Sequence, residues 1–279
     1  MKTLEDVMTR YPHIVEVMQN TAIMAGYEIL DEYDNVDVEV ELKKDDSPLT
    51  VADRRAHMLI YDSLSTQFPD IDIVSEEGEC ELSDGKAGIF FLVDPLDGTK
   101  EFLKQTGEFT VNIALVCAGS AELGVVYVPV EKTLFSTTKD GRAIVRRSAT
   151  LEDEFRVEEE IRCRGIPLNG PTVVMSASHS SQETVEYAAL YNPAETVSAG
   201  SSLKFCRVAE GRADIYPRLG RTMEWDTAAA HAVLKAAGGN VVLLKDGNEL
   251  KYGKHGMDNS YLVAAAASSR IITSKLDWR

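Results

Sequence analysis

No stretch of this chain approaches the ~18 continuous apolar residues of a membrane span. The N-terminus, Met1-Lys2-Thr3-Leu4-Glu5-Asp6, carries acids where a secretion signal would have its apolar core. A cytoplasmic location is the expectation, with peripheral contact to a membrane left open. Cysteine is sparse too. Cys80, Cys117, Cys163 and Cys206 are widely scattered and no pair has C-x-x-C spacing, so neither a zinc site nor a disulfide framework is expected. Positive charge is also scarce: 29 Lys and Arg stand against 45 Asp and Glu, for a formal net charge of -16. Such a field repels polyanions and argues against a nucleic-acid partner. A small phosphorylated substrate would need local cations to overcome it.

What is present is an ordinary globular composition. With 279 residues, 44% of them apolar, the chain can bury a full core as one large domain or two lobes. Ile14, Val17, Met18, Ala22, Ala25 and Ile29 recur at helical spacing and predict an amphipathic helix over about residues 13–32. Val36, Val38 and Val40 alternate as a half-buried strand does, and the polar stretch Lys43 to Pro48 breaks the pattern. Thr50 is placed to cap a helix through Ala52, Met58, Leu59 and Tyr61, which puts Asp53 in its first turn. Ile71, Ile73 and Val74 predict a short strand ending at Ser75-Glu76-Glu77-Gly78, and Ile89 to Val93 the next. Phe109 to Thr137 reads as an antiparallel meander. The acidic run Leu151 to Glu160 is the candidate lobe boundary, dividing 1–150 from 151–279, although a solvated loop would look the same. From Thr172 onward strands and helices alternate without repeats or low-complexity tracts. Residues 226–237 form a helical pattern ending at Gly238-Gly239, with Asp226 as its expected N-cap.

Chemistry concentrates in Asp94-Pro95-Leu96-Asp97-Gly98-Thr99, where two carboxylates lie three residues apart just after the apolar strand. If the strand ends there, Pro95 and Gly98 turn the chain and both acids face one point. Gathered hard oxygen ligands favour Mg²⁺, which binds through carboxylates and a substrate phosphate. Gly98 and Thr99 would offer backbone N–H groups and a hydroxyl to the anion. The plainer alternative is an Asp-rich turn, since Asp, Pro and Gly dominate turns for local reasons. Asp226 is equally open: capping alone explains an acid at a helix start, yet such a carboxylate can also hold a metal while the helix dipole faces an anion. Glu76 is either a solvated acid after a strand or a ligand.

Taken together, Pro48-Leu49-Thr50-Val51-Ala52-Asp53, Ser75-Glu76-Glu77, Asp94 to Phe102 and Trp225-Asp226-Thr227-Ala228-Ala229 resemble the four ordered signatures of the inositol monophosphatase superfamily. Within it the chain is most similar to the bacterial 3′(2′),5′-bisphosphate nucleotidases, through Asp97 to Phe102 with Gly107 to Asn112, Ser176-Ala177-Ser178-His179, and Gly200 to Cys206. That resemblance covers about residues 10 to 265. It implies a layered α/β sandwich of two lobes, an α+β or α/β fold of the sugar-phosphatase type, present as a monomer or homodimer. It implies Glu76, Asp94 and Asp97 as metal-ligand carboxylates, the Leu96 carbonyl as a further ligand, and Asp226 completing the set from the second lobe. Asp53 and Thr99 would polarise the attacking water in a reaction needing two or three Mg²⁺ and no phosphoenzyme. Gly98, Thr99, Ser178, His179, Ser201, Lys204 and Asp226 would contact a small nucleotide, with Lys204 facing a second phosphate. On the residues alone, Lys204 could be a solvated helix residue and His179 a structural one.

The implied activity is release of the 3′-phosphate of adenosine 3′,5′-bisphosphate to give AMP, with the sulfated relative of that nucleotide as a second substrate, and inhibition by Li⁺. Hydrolysis of inositol monophosphate or fructose 1,6-bisphosphate is the alternative within the superfamily, and Lys100-Glu101 after Asp97-Gly98-Thr99 argues against it. A binding protein that has lost turnover is a third possibility. It would have lost one of Asp53, Glu76, Asp94, Asp97, Thr99 or Asp226, and all six are in place.

Overall fold

The computed structural model describes residues 3–33, 40–42, 48–78, 88–148, 158–176, 180–267 and 269–273. Two helices open it, α1 (Leu4–Arg10) and α2 (Ile14–Tyr33). Ile14, Met18, Ala22, Ala25 and Ile29 are all buried along one stripe of α2, as their spacing predicts. Of the alternating valines, Val40 begins β1 (Val40–Leu42), which pairs antiparallel with β2 (Pro48–Thr50); Val36, Val38 and the polar break at 43–47 lie outside the described residues. Helix α3 (Val51–Gln67) follows directly.

A seven-stranded sheet holds β3 (Asp72–Ser75), β4 (Ile89–Asp97), β5 (Thr110–Cys117), β6 (Ser120–Val128), β7 (Thr133–Thr137), β8 (Ala143–Arg146) and β9 (Glu159–Glu160) in sequence order, with the short α4 (Thr99–Leu103) between β4 and β5. Every neighbouring pair is antiparallel except β3 with β4. The meander is therefore present, and Glu159–Glu160 of the acidic run closes it as the last strand, while residues 151–157 lie outside the described residues. The second half supplies β10 (Thr172–Met175), α5 (Gln182–Ala189), β11 (Glu195–Ser198), α6 (Leu203–Ala209), β12 (Ile215–Arg218), β13 (Thr222–Met223), α7 (Ala228–Ala236), β14 (Gly239–Leu243), β15 (Asp258–Asn259) and β16 (Leu262–Ala266). Five of these strands form a second sheet in the order β11-β10-β12-β16-β14, and β13 pairs with β15 alone.

Alternation along the strands builds the layers. Phe91 and Val93 of β4, with Val111, Ile113 and Leu115 of β5, bury one face of the large sheet against α2 and α3. Phe90, Leu92, Ala114 and Val116 turn to the other face and pack on α6 and α7, whose far side meets Val174, Val241, Leu262 and Ala264 of the second sheet. The remaining face of that sheet, Val173, Ile215, Val263 and Ala265, packs with Tyr187 and Ala188 of α5. The order is helix, sheet, helix, sheet, helix, with α6 and α7 in the middle. Each fully buried Phe, Leu or Val contributes about 1.5–3 kcal/mol.

Helix α7 can lie flat on β6 because both surfaces are small. A Cβ on Gly124 would stand 2.1 Å from the carbonyl oxygen of Ala229, a separation no side chain could survive, so glycine sets the spacing there. Ala228, Ala229, Ala230 and Ala232 keep the helix side equally thin. Cys117, Cys163 and Cys206 are free thiols. Burial pushes Cys117 up to about 12 and Cys163 up to about 11, so both are inert at neutral pH. Among the described residues no helix is long and apolar enough to cross a membrane.

Candidate active site

The apolar strand does not stop at Val93. It continues to Asp97 and carries a bulge, with Asp94 paired to Asn112 and Asp97 paired to Thr110. Three steps on β4 are thus matched by two on β5. Pro95 explains this locally, since it has no N–H to donate to the ladder and is tolerated at bulges. In a regular strand residues three apart point to opposite faces, but the extra residue lets Asp94 and Asp97 share the face that looks toward α6 and α7. The turn expected at Pro95 comes only at Gly98. Leu96 donates its N–H to Asp94 Oδ1 at 3.1 Å, and its carbonyl accepts from the Thr99 hydroxyl at 3.4 Å. Glu76 arrives from the end of β3, its N–H donating to the Val93 carbonyl at 3.1 Å, and it is hydrogen-bonded to Asp94.

Asp53 does two jobs. As the third residue of α3 it forms a reciprocal capping box with Thr50, whose N–H donates to Asp53 Oδ2 at 2.7 Å and whose hydroxyl donates to the same oxygen at 2.5 Å. The other carboxylate oxygen accepts from the Thr99 hydroxyl at 3.2 Å. Asp53 is 1% exposed, so its orientation is fixed and Thr99 Oγ1 keeps a lone pair for a further proton.

Asp97 is clamped by the start of α6. Its Oδ2 accepts from the Ser202 N–H at 2.6 Å, and from Asn112 Nδ2 at 3.4 Å. Ser201, in the left-handed region at φ 48, donates its hydroxyl to the carbonyls of Asp97 at 2.7 Å and Glu108 at 2.8 Å. That hydroxyl pins the acid-bearing turn from behind while its residue lines a small cavity. Gly98 fits the same contact: a Cβ on it would lie 2.3 Å from Ser201 Oγ, and its φ of +98 disfavours any other residue.

Asp226 is not the N-cap of α7. Thr227 occupies that position without a side-chain cap bond, and Asp226 turns back to accept the Met223 N–H at 2.9 Å. The carboxylate is therefore committed to the strand before the helix, and it joins the other acids electrostatically. Burial pushes Asp226 up to about 8, helped by the negative charges of Asp97 and Glu76 and opposed by the Met223 N–H and Arg218. Asp94 is driven well above the carboxylate range, first by burial and then by Glu76, Asp97 and Asp226. Asp97 reaches about 6 through burial, restrained by Lys204 and the Ser202 N–H. Four acids from three parts of the chain thus repel one another, with Glu76, Asp97 and Asp226 lining one cavity and Asp94 buried beside them.

Lys204 is not a solvated helix residue. It is 5% exposed, its Nζ donates to the Ala199 carbonyl at 3.4 Å, and it sits 5.5 Å from the Tyr216 ring centre. Burial pulls it down to about 8, opposed by Asp97, so it remains mostly charged at neutral pH. Arg218 lines the same cavity of about 90 Å³, with Ser176, Ser201, Tyr216 and Thr222. Its Nη2 donates to the Arg221 carbonyl at 3.0 Å, and its buried Nε has no partner among the described residues. Sequence reasoning passed over Arg218 and Thr222 because each lies far from the recognisable motifs; an Arg four residues before Thr222 on a strand leading to Asp226 was the available signal. A second cavity of about 300 Å³, lined by Glu76, Asp97, Gly98, Thr99, Trp225 and Asp226 among others, adjoins it. Both cavities share Asp97, Glu101, Thr222 and Asp226. Ser178 and His179 lie outside the described residues.

The donor set fits Mg²⁺. All the candidate ligands are hard oxygens, and the burial and mutual repulsion that raise Asp94 and Asp226 are what a divalent cation would offset. Among the described residues no group of three or more acid, His or Cys side chains is arranged to hold a metal ion by itself, so the fit rests on the chemistry of the donors.

The chain belongs to the inositol monophosphatase family, whose signature matches residues 12–276. Within that family it is 44% identical over 230 residues to the 3′(2′),5′-bisphosphate nucleotidase CysQ of Salmonella typhimurium, covering 82% of this chain and 89% of that protein. It is 46% identical over 220 residues to the CysQ nucleotidase of Escherichia coli, covering 78% and 85%. The crystal structure of CysQ from Bacteroides thetaiotaomicron matches with a TM-score of 0.79 at 38% identity, covering 91% of this chain and 98% of that one. The layered α/β sandwich is the fold of these inositol monophosphatase-type structures.

Proposed function

We propose that the chain is a Mg²⁺-dependent phosphatase that hydrolyses the 3′-phosphate of adenosine 3′,5′-bisphosphate to AMP and phosphate. The observation that carries this reading is the pair of adjoining cavities, one walled by acids and one holding Lys204 and Arg218. A substrate with two phosphates can span both: the phosphate to be cleaved lies on the side of Glu76 and Thr99, and the one retained meets Lys204 and Arg218. The CysQ relatives, named as 3′(2′),5′-bisphosphate nucleotidases, support the assignment.

On this reading the N-terminal lobe, 1–150, brings Glu76, Asp94, Asp97 and the Leu96 carbonyl, and the C-terminal lobe, 151–279, brings Asp226 and the basic pocket. Bound Mg²⁺, two or three ions, would supply a water of lowered pKa and neutralise charge on the entering and leaving oxygens. Asp53 holds the Thr99 hydroxyl by accepting its proton at 3.2 Å, so the Thr99 oxygen faces the attacking water as an acceptor. Water adds to phosphorus as the bond to the 3′-oxygen breaks; the attacking water gives up one proton toward the Thr99–Asp53 pair, and the 3′-oxygen leaves as a hydroxyl with a proton taken from solvent water. Lys204 and Arg218 keep the other phosphate in place, which aligns the reacting one.

Phosphate release measured on adenosine 3′,5′-bisphosphate, inositol 1-phosphate and fructose 1,6-bisphosphate tests the assignment. The nucleotide should be turned over with the highest kcat/KM; equal rates on all three would sink it.

A further inference from the structure

We propose that Thr222 reads the sugar of the substrate, its hydroxyl hydrogen-bonding the ring that joins the two phosphates. The inference rests on the bisphosphate reading above and adds a residue to it. Thr222 is 8% exposed, and its Oγ1 is buried without a hydrogen-bond partner among the described residues. An unpaired buried hydroxyl is costly and uncommon, and a ligand atom is one way to satisfy it.

Its position narrows the ligand. The cavity that holds Glu76 and Thr99 and the cavity that holds Lys204 and Arg218 share Asp97, Glu101, Thr222 and Asp226, so a molecule spanning both places its middle against these four. Three of them are carboxylates, which repel a phosphate. Thr222 is the neutral member and can both donate and accept. The part of a nucleoside bisphosphate that lies between its phosphates is a five-membered sugar, whose hydroxyl and ether oxygens match such a group.

The mount is rigid. Thr222 pairs with Asn259 and Met223 with Asp258 across β13 and β15. The Asn259 amide is committed to the Met223 carbonyl at 2.8 Å and the Thr227 hydroxyl at 3.1 Å. Arg221 Nε donates to Asp258 Oδ1 at 3.1 Å, and the Met223 N–H donates to Asp226. The polar groups on either side of Thr222 are thus occupied within the strap. A β-branched side chain on a paired strand has few rotamers, so the buried hydroxyl of this cavity-lining residue is held in a defined place.

The test uses Thr222→Val, which keeps shape and removes the hydroxyl, and Thr222→Ser, which restores it. Three substrates separate the possible contacts: adenosine 3′,5′-bisphosphate, adenosine 3′-monophosphate and p-nitrophenyl phosphate. For Thr222→Val, kcat/KM should fall about tenfold on both nucleotides and stay unchanged on p-nitrophenyl phosphate, with Thr222→Ser close to wild type. Calorimetric titration of metal-free protein with AMP should show a similar weakening in Thr222→Val, a reading independent of turnover. Unchanged nucleotide kinetics, an equal fall on all three substrates, or a fall on the bisphosphate alone would overturn the proposal; the last would move the contact to the retained phosphate. Should wild type show no preference among the three, the bisphosphate reading fails separately, and AMP binding by Thr222→Val still decides whether the hydroxyl meets a nucleoside.

Discussion

Two sets of buried acids in this molecule are treated in opposite ways. Asp214 is gripped by Arg164 through Nε at 2.8 Å and Nη2 at 3.0 Å, and it also accepts the Thr172 N–H at 2.7 Å. Glu224, fully buried, accepts the N–H groups of Gly253 at 2.6 Å and Lys254 at 3.0 Å and forms an ion pair with the Lys254 ammonium. Two residues further on, Asp226 has one backbone N–H and three acidic neighbours. The first set is finished by the protein itself. The second gathers Glu76, Asp94, Asp97 and Asp226 with less positive charge than it needs, and Lys204 and Arg218 stand on the far side of the shared wall. Acids that hold the fold together are paired from within, whereas the acids proposed to hold the metal are left short of positive charge.

The strongest way to sharpen that contrast is to neutralise an unfinished acid. Asp94→Asn should lower Mg²⁺-dependent phosphatase activity by at least about a thousandfold while leaving the fold intact; activity assay and circular dichroism together check it. Thr99→Ala should retain Mg²⁺ binding by calorimetry and lose roughly a hundredfold or more in kcat. Asp214→Ala should do the reverse, costing about 2 kcal/mol of stability, moderated because Arg164 is 41% exposed and can turn to water, with Mg²⁺ affinity unchanged. Denaturant melts of the metal-free variant would reveal it.

The smallest effect is on pH dependence. Asp97 stands at about 6 and Asp226 at about 8, against an ordinary value of 3.8. An acid raised in the fold holds more protons folded than unfolded, so the metal-free protein loses stability as pH rises from about 4 toward about 8. Tm measured without metal should therefore fall by several degrees across that window. Added Mg²⁺ should flatten the slope, because it binds the ionised acids and releases their protons. A metal-free Tm that climbs with pH would break the comparison.

Much of this was legible in the chain. The stripe on α2, the capping box of Thr50 with Asp53, the strand from Ile89 and the meander after it depend on local periodicity and short-range hydrogen bonds, which a sequence displays directly. What escaped depends on register between distant segments. The bulge between Asp94 and Asp97 exists only relative to Thr110 and Asn112. Asp226 looks like a cap until β13 pairs with β15 and draws its carboxylate back to Met223. Ser201 reads as a substrate contact, yet its hydroxyl already serves two carbonyls, a use visible only once residues 97, 108 and 201 are neighbours. Arg218 and Thr222 belong to no contiguous motif.

The contact between Gly124 and Ala229 carries a further consequence. Ala229 is three residues past Asp226, in the opening turn of α7, so the seat of that turn on β6 also sets how far the fourth carboxylate reaches toward the other three. The geometry proposed for catalysis is thereby referenced to a residue with no side chain and no chemistry of its own. Adding one methyl group at Gly124 would lift the helix start and carry Asp226 away with it, and a screen scored on turnover would record an active-site defect at a position buried in the middle of the sandwich.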